Sequence, residues 1–137
     1  MTDKIGKGLI IFILDDEKDT CHFAKEFFIK RGFEVYTASS GKAAVNTIKK
    51  IKPDIALLDI RLAEKEVTGL DVLKSIKEKH PACCCVMVTY MDDEEIIKQA
   101  MEMGALEYLK KPLMPLEIEK TINKIVKKIR KGAKQNG

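Results

Sequence analysis

The chain lacks any long apolar run. None approaches the ~20 residues that a membrane-crossing helix needs, so no span is expected. The first residues, Met1-Thr2-Asp3-Lys4-Ile5-Gly6-Lys7, carry charge but no apolar core and no small-residue cleavage site. That argues against a secretory signal and for a cytoplasmic location. Cysteine is scarce: three of the four are consecutive, Cys83-Cys84-Cys85, and the other is Cys21. Neighbouring cysteines meet the geometry of a disulfide poorly, and no C-x-x-C pair or His spacing suggests zinc. The triplet reads as small apolar filling for a buried strand, with a redox role as the minor alternative. The two histidines, His22 and His80, read as surface or helix-end residues. No G-x-x-x-x-G-K-[ST] stretch is present, so nucleotide hydrolysis on a P-loop is not indicated. Neither an internal repeat nor a low-complexity linker divides the 137 residues. One domain, 1–137, is expected, with a core over about 7–130 and a polar, frayed tail over 131–137. Net charge is only +4, from 25 basic and 21 acidic residues. So mild an excess does not argue for nucleic acid.

What the chain does have is a series of short apolar runs ending in polar residues. Ile55-Ala56-Leu57-Leu58 runs without interruption into Asp59, which reads as a strand buried on both faces with an acid at its carboxyl end. Leu9 to Leu14 is a second such run, ending in Asp15-Asp16-Glu17. Phe33 to Ala38 alternates more and reads as a strand nearer an edge. Cys84 to Thr89 and Leu106 to Leu109 complete five. Helical spacing lies between them: Cys21, Ala24, Phe27 and Phe28 within 19–31; Ala44, Ile48 and Ile51 after a cap at Ser39 or Ser40; Leu70, Leu73 and Ile76 from Gly69. Asp92-Asp93-Glu94-Glu95 suits the first turn of a fourth helix, with Ile96, Ile97, Ala100 and Met101 or Met103 inward. Ile118, Ile122, Ile125 and Ile129 make the cleanest stripe, on a fifth. Five strands alternating with five helices predict an α/β fold with a parallel sheet and right-handed crossovers.

In such a sheet the carboxyl ends of the strands meet at one edge, where ligands bind. That edge would gather Asp15, Asp16, Asp59, Thr89 and Lys111. Carboxylates so placed repel, by roughly 4 kcal/mol per pair at 4 Å and an effective dielectric near 20. Proton uptake, a neutralising cation or a bound metal must answer that. A hard divalent ion with oxygen ligands is the natural answer, and Mg²⁺ takes one or two carboxylates and keeps its waters. Lys111 adds a mobile positive charge and Thr89 a hydroxyl donor. Together they make a site for an aspartyl phosphate.

The spacing of Leu14-Asp15-Asp16-Glu17, Asp59, Thr89 and Tyr108-Leu109-Lys110-Lys111-Pro112 resembles the response-regulator receiver domain of two-component signalling, over about residues 7 to 130. The resemblance implies a flavodoxin-like (βα)5 three-layer sandwich with strand order 2-1-3-4-5. It implies that Asp59 is the phosphoacceptor, taking its phosphoryl group from a sensor histidine kinase, a phosphotransfer protein or a small acyl phosphate. Asp16 and Asp59 would ligate Mg²⁺ directly, Asp15 through water, and the backbone carbonyl of Arg61 would be a further ligand. Lys111 would pair with the phosphoryl oxygens, and Thr89 would hydrogen-bond the group and move toward it. Tyr108 would be the switch aromatic, turning inward as Thr89 vacates its space. The Lys111–Pro112 bond would be cis. The surface of helix four, strand five and helix five would engage a downstream effector or output domain, with a homodimer through that surface as a further option. The chain would catalyse only its own phosphorylation and dephosphorylation.

Two features depart from the family pattern. The loop after Asp59 is lengthened and charged, reaching Gly69 with Ala63 where a proline often sits, and Tyr90 follows Thr89 where a small residue is usual. Both lie where they would alter access to Asp59. The alternative reading is therefore a receiver-fold scaffold or binding module that does not switch. A phosphohydrolase of the haloacid-dehalogenase type would want a second Asp two positions after the first, and Arg61 stands there. The basic face formed by Lys120, Lys124, Lys127, Lys128, Arg130, Lys131 and Lys134 reads as solvated. No recognition-helix module accompanies it, so direct nucleic-acid contact is not expected.

Overall fold

A computed structural model describes residues 4–63, 66–90 and 94–136, with the side chains of 134–136 left aside. In chain order the elements are β1 Ile10–Leu14, α1 Lys18–Lys30, β2 Glu34–Ala38, α2 Gly41–Ile48, β3 Ile55–Asp59, α3 Gly69–Lys79, β4 Cys84–Thr89, α4 Glu94–Glu102, β5 Glu107–Lys110 and α5 Pro115–Asn136. The strands pair in parallel in the order β2-β1-β3-β4-β5. This is the doubly wound, flavodoxin-like sandwich expected. The two central strands are the continuous apolar runs: every residue of β3 is buried, and four of five in β1. The alternating β2 lies at an edge.

Alternation along each strand sends neighbouring side chains to opposite faces, and the core divides accordingly. On one face Ile11, Ile13, Ile55, Leu57, Val86 and Val88 meet Phe27 and Phe28 of α1 and Ile118, Ile122 and Ile125 of α5. On the other, Phe12, Leu14, Leu58 and Met87 meet Ile48 of α2, Val72, Leu73 and Ile76 of α3 and Ala100 of α4. Cys83 and Cys85 are buried in this second layer, Cys84 is half-buried against the first, and all four cysteines are free thiols. The triplet therefore packs as small apolar side chains.

Several local expectations shift. On α3 Val72 joins Leu73 and Ile76 as fully buried, and Leu70 is only half-buried. A capping box sets the entry of that helix: Thr68 accepts from the Asp71 amide at 3.2 Å, and Asp71 accepts from the Thr68 amide at 2.9 Å. Ser40, rather than Ser39, caps α2 by accepting from the Ala43 amide. α2 closes at Ile48, so Ile51 packs from the following turn. Met101 is exposed while Met103 is half-buried. β5 runs one residue later than its apolar pattern, because its pairing with β4 carries through to Lys110 opposite Thr89. The tail expected to fray continues α5 to Asn136, since Lys, Arg, Ala and Gln are good helix formers. The acids Asp92 and Asp93, assigned to the start of helix four, lie outside the described residues; α4 begins with Glu94 and Glu95.

Candidate functional site

β1, β3 and β4 end side by side, and β5 leads into Lys111. Four polar side chains are buried there: Asp15, Asp59, Thr89 and Lys111 are each at most 6% exposed. Asp15 and Asp59 sit one step past the apolar runs of β1 and at the end of β3, so the strands that build the core also deliver the acids. The backbone of Lys111 is fixed beside them by its amide, which donates to the Thr89 carbonyl at 2.8 Å; the Lys111–Pro112 peptide is cis.

The lysine ammonium lies 2.9 Å from Asp15 Oδ2, 3.0 Å from Asp59 Oδ2 and 3.3 Å from Glu17 Oε1. The second oxygens are held by backbone. The Glu17 amide donates to Asp15 Oδ1 at 2.8 Å, and the Arg61 amide donates to Asp59 Oδ1 at 3.1 Å. Asp16 is half-buried, and its Oδ2 accepts from the Ala63 amide at 2.6 Å, which ties the first turn of the 61–68 loop to the acids. Gly69 permits the close return of that loop. A Cβ there would overlap the Asp59 carbonyl oxygen and press on Ile60 Cα.

Burial pushes the Asp59 carboxyl up to about 6, against the opposing pull of Lys111, while Asp15 adds to the rise. Burial works to lower the Lys111 ammonium, but its bonds to Asp15 and Asp59 outweigh this and hold it above the ordinary lysine value. Asp59 is thus mostly ionised near neutrality, and Lys111 stays charged.

The geometry brings together Asp15, Asp59, Thr89 and Lys111 as the spacing implied. It also adds Glu17, noted only as the last of three acids and given no role. Glu17 joins Asp15 and Asp16 in a cluster whose carboxylate oxygens lie within 4.8 Å of one another, a set of hard oxygen donors suited to Mg²⁺. Among the described residues Asp59 is not part of that triad; it faces Lys111 and the Arg61 amide instead. Arg61 itself is exposed. Tyr108 is 42% exposed on β5 and lines an open concavity of about 560 Å³ with Lys110, Pro112 and Met114. Tyr90 is 59% exposed, and its hydroxyl donates to Glu17 Oε2 at 3.0 Å.

The basic face of α5 is partly structural. Lys124 pairs with Glu107 at 3.0 Å, and Arg130 donates to the carbonyls of Ile5 and Lys7. His80 ends α3, with its Nε2 2.9 Å from the Ile48 carbonyl, and His22 is exposed, as expected of both.

The family model of the response regulator receiver domain matches residues 11–123. The chain is 30% identical over 121 residues to the chemotaxis protein CheY of Thermotoga maritima, covering 88% of this chain and 99% of that one. It is 31% identical to the response regulator SaeR of Staphylococcus aureus, covering 88% of this chain and 52% of that one. Against a cyclic di-GMP phosphodiesterase of T. maritima it is 33% identical over 77% of its length, but spans only 27% of that protein. The chain thus spans nearly all of one curated relative and about half or less of the other two. Among solved structures, a CheY-like receiver domain protein of Methanospirillum hungatei superposes with a TM-score of 0.84 at 24% identity, covering 90% of this chain and 98% of that one. A two-component response regulator of Clostridium difficile does so with 0.82 at 27% identity, covering 88% and 98%. A matching family model over most of the length, a near-full-length relative and a shared strand order lead to one conclusion: this chain belongs to the response-regulator receiver family.

Proposed function

We propose that the chain is a phosphoacceptor module that receives a phosphoryl group on Asp59 and uses it to shift between two conformations. The observation that supports this best is the pairing of a buried, mostly ionised Asp59 with a buried lysine 3.0 Å away. A carboxylate oxygen of Asp59 attacks phosphorus. The bond from phosphorus to the donor's leaving atom breaks, and its electron pair departs with the donor, a histidine nitrogen or an acyl carboxylate. Lys111 meets the transferred oxygens with positive charge, and the Thr89 hydroxyl, at the end of the adjacent strand, is placed to donate to them. Asp15, Asp16 and Glu17, with Asp59 and the Arg61 carbonyl alongside, would hold Mg²⁺. That ion would supply charge neutralisation of the phosphoryl oxygens.

The donor in this reading is a sensor histidine kinase or phosphotransfer protein, and the setting is the cytoplasm. The output surface is α4–β5–α5. Met101, Tyr108, Met114 and Leu116 are exposed there, Leu116 by 79%, an apolar set suited to an effector, an output domain or a second copy. Turnover of external substrates is not part of the reading, because Arg61 stands where a hydrolase would want its acid.

Incubation with Mg²⁺ and acetyl phosphate, followed by intact-mass measurement, tests the proposal. One added phosphoryl group is expected, labile to hydroxylamine and absent in Asp59→Ala. No adduct, together with no binding of a beryllium fluoride phosphoryl mimic, would favour a scaffold that does not switch.

A further inference from the structure

A protonated lysine has three N–H donors, and each of those on Lys111 faces a carboxylate: Asp15, Asp59 and Glu17. A phosphoryl group arriving on Asp59 needs one of them. The three carboxylates are not equally held. The Asp15 and Asp59 side chains are 4% and 5% exposed and lie at 2.9 and 3.0 Å, whereas the Glu17 side chain is 43% exposed and lies at 3.3 Å. Stripping a cation from a buried carboxylate is costly. Releasing Glu17 returns a carboxylate to water at little cost. Its negative charge already takes up the one donor of Lys111 that a phosphoryl group could claim without unpairing a buried carboxylate.

Glu17 is not loose, however. Its other oxygen accepts from the Tyr90 hydroxyl at 3.0 Å, and that bond, helped by Lys111, holds the Glu17 carboxyl below its ordinary value. The Tyr90 ring lies 5.2 Å from the Lys111 ammonium. Tyr90, Glu17 and Lys111 therefore form a closed ring of contacts, made by residues from the ends of three strands and joined to Asp59 through Lys111. We propose that Glu17 is an internal stand-in for the phosphoryl group and that Tyr90 is the latch holding it on Lys111. This rests on the phosphoacceptor reading above and names how that site is restrained. A phosphoryl group carries close to two negative charges, so its arrival on Asp59 displaces Glu17, and the Tyr90 hydroxyl must let go first. Tyr90 is a positioning residue that acts through Glu17, and while the pair holds Lys111 phosphorylation is slowed.

Tyr90→Phe separates the latch from simple bulk, since it keeps the ring and removes only the hydroxyl. With acetyl phosphate and Mg²⁺, it is expected to acquire phosphate about threefold faster or more, the modest effect of an exposed charge-assisted bond. Glu17→Gln is expected to accelerate as well. The double variant should be no faster than the faster single one, because both act through one bond. Mg²⁺ affinity, followed separately by titration, keeps any loss of a metal ligand in Glu17→Gln from being mistaken for the latch. Wild-type phosphorylation with an unchanged rate in Tyr90→Phe would overturn the latch and leave the receiver reading standing. Acceleration in Tyr90→Ala alone would assign the effect to bulk and also overturn it. Phosphorylation of Tyr90→Phe with none in the wild type would support it. No phosphorylation of any form would remove the phosphoacceptor reading and the latch with it.

Discussion

Burial sets the charge state of Asp59. A carboxyl that titrates near 6 in the fold and near 3.8 when unfolded binds its proton more tightly in the native state. Stability from this group is therefore greatest below the unfolded value and is lost as pH rises through about 4 to 6. Asp59→Asn cannot ionise and escapes that loss. In metal-free buffer at pH 7.5 it should be more stable than wild type by about 2 kcal/mol, after allowing for partial solvent screening. The difference should vanish near pH 4, and urea melts at both pH values would show it. Lys111 follows the same sign at a higher pH, because its value is also raised. Its raised value contributes stability that is present below the ordinary lysine value and lost at more alkaline pH. Lys111→Ala leaves Asp15 and Asp59 buried side by side without their cation, so a loss of about 3 kcal/mol at pH 7.5 is expected. Adding Asp59→Asn should recover much of it, as one of the two charges is then gone.

At the scale of the element, the β3–α3 connection controls both packing and site. Thr68 and Asp71 cap α3, and Gly69 lets the helix start against the Asp59 carbonyl. Thr68→Ala removes one half of the capping box and should cost about 1 kcal/mol, measured by urea unfolding, with little effect on phosphorylation. Gly69→Ala asks two backbone segments to separate. A cost of about 2 kcal/mol is expected, together with slower phosphorylation, because Asp59 moves with its own carbonyl. The loop before it is tied down at both ends: Ala63 donates to Asp16, and Glu66 pairs with Lys42 at 2.8 Å on the start of α2. The longer connection is thus anchored across the acids and to the neighbouring helix.

The whole molecule is a sheet whose acid-bearing edge and exposed α4–β5–α5 face are joined through β4 and β5. The Lys111 amide bonds the Thr89 carbonyl, and Tyr108 lies on β5, three residues before Lys111, which follows the end of that strand. A shift at Thr89 therefore has a short route to Tyr108. Moving such a two-state equilibrium from 1:99 to 99:1 requires about 5.5 kcal/mol of differential stabilisation. With beryllium fluoride and Mg²⁺ bound, hydrogen exchange should change in α4, β5 and the start of α5 and change little in α1 and α2. Tyr108 should become less accessible to nitration than its 42% exposure allows in the resting form. Tyr108→Ala should still take up phosphate but lose most of the exchange change. Equal changes across the whole sheet would point to general tightening rather than switching.

Hydrophobic pattern alone determined the five strands, the five helices and their parallel arrangement, because apolar period and chain direction admit few alternatives. It also determined that Asp15, Asp59, Thr89 and Lys111 share one edge, since strand ends in a parallel sheet lie together. The role of Val72 over Leu70 was not legible, because which of two apolar residues on either side of Asp71 faces inward depends on the angle at which α3 packs. Nor was the helical tail, where good helix formers carry no apolar stripe to announce them. Glu17 and Tyr90 were visible as residue types, but not as partners. They stand 73 positions apart, and only the closure of β1 against β3 and β3 against β4 brings them to 3.0 Å, over a lysine whose third contact had no signal in the chain itself.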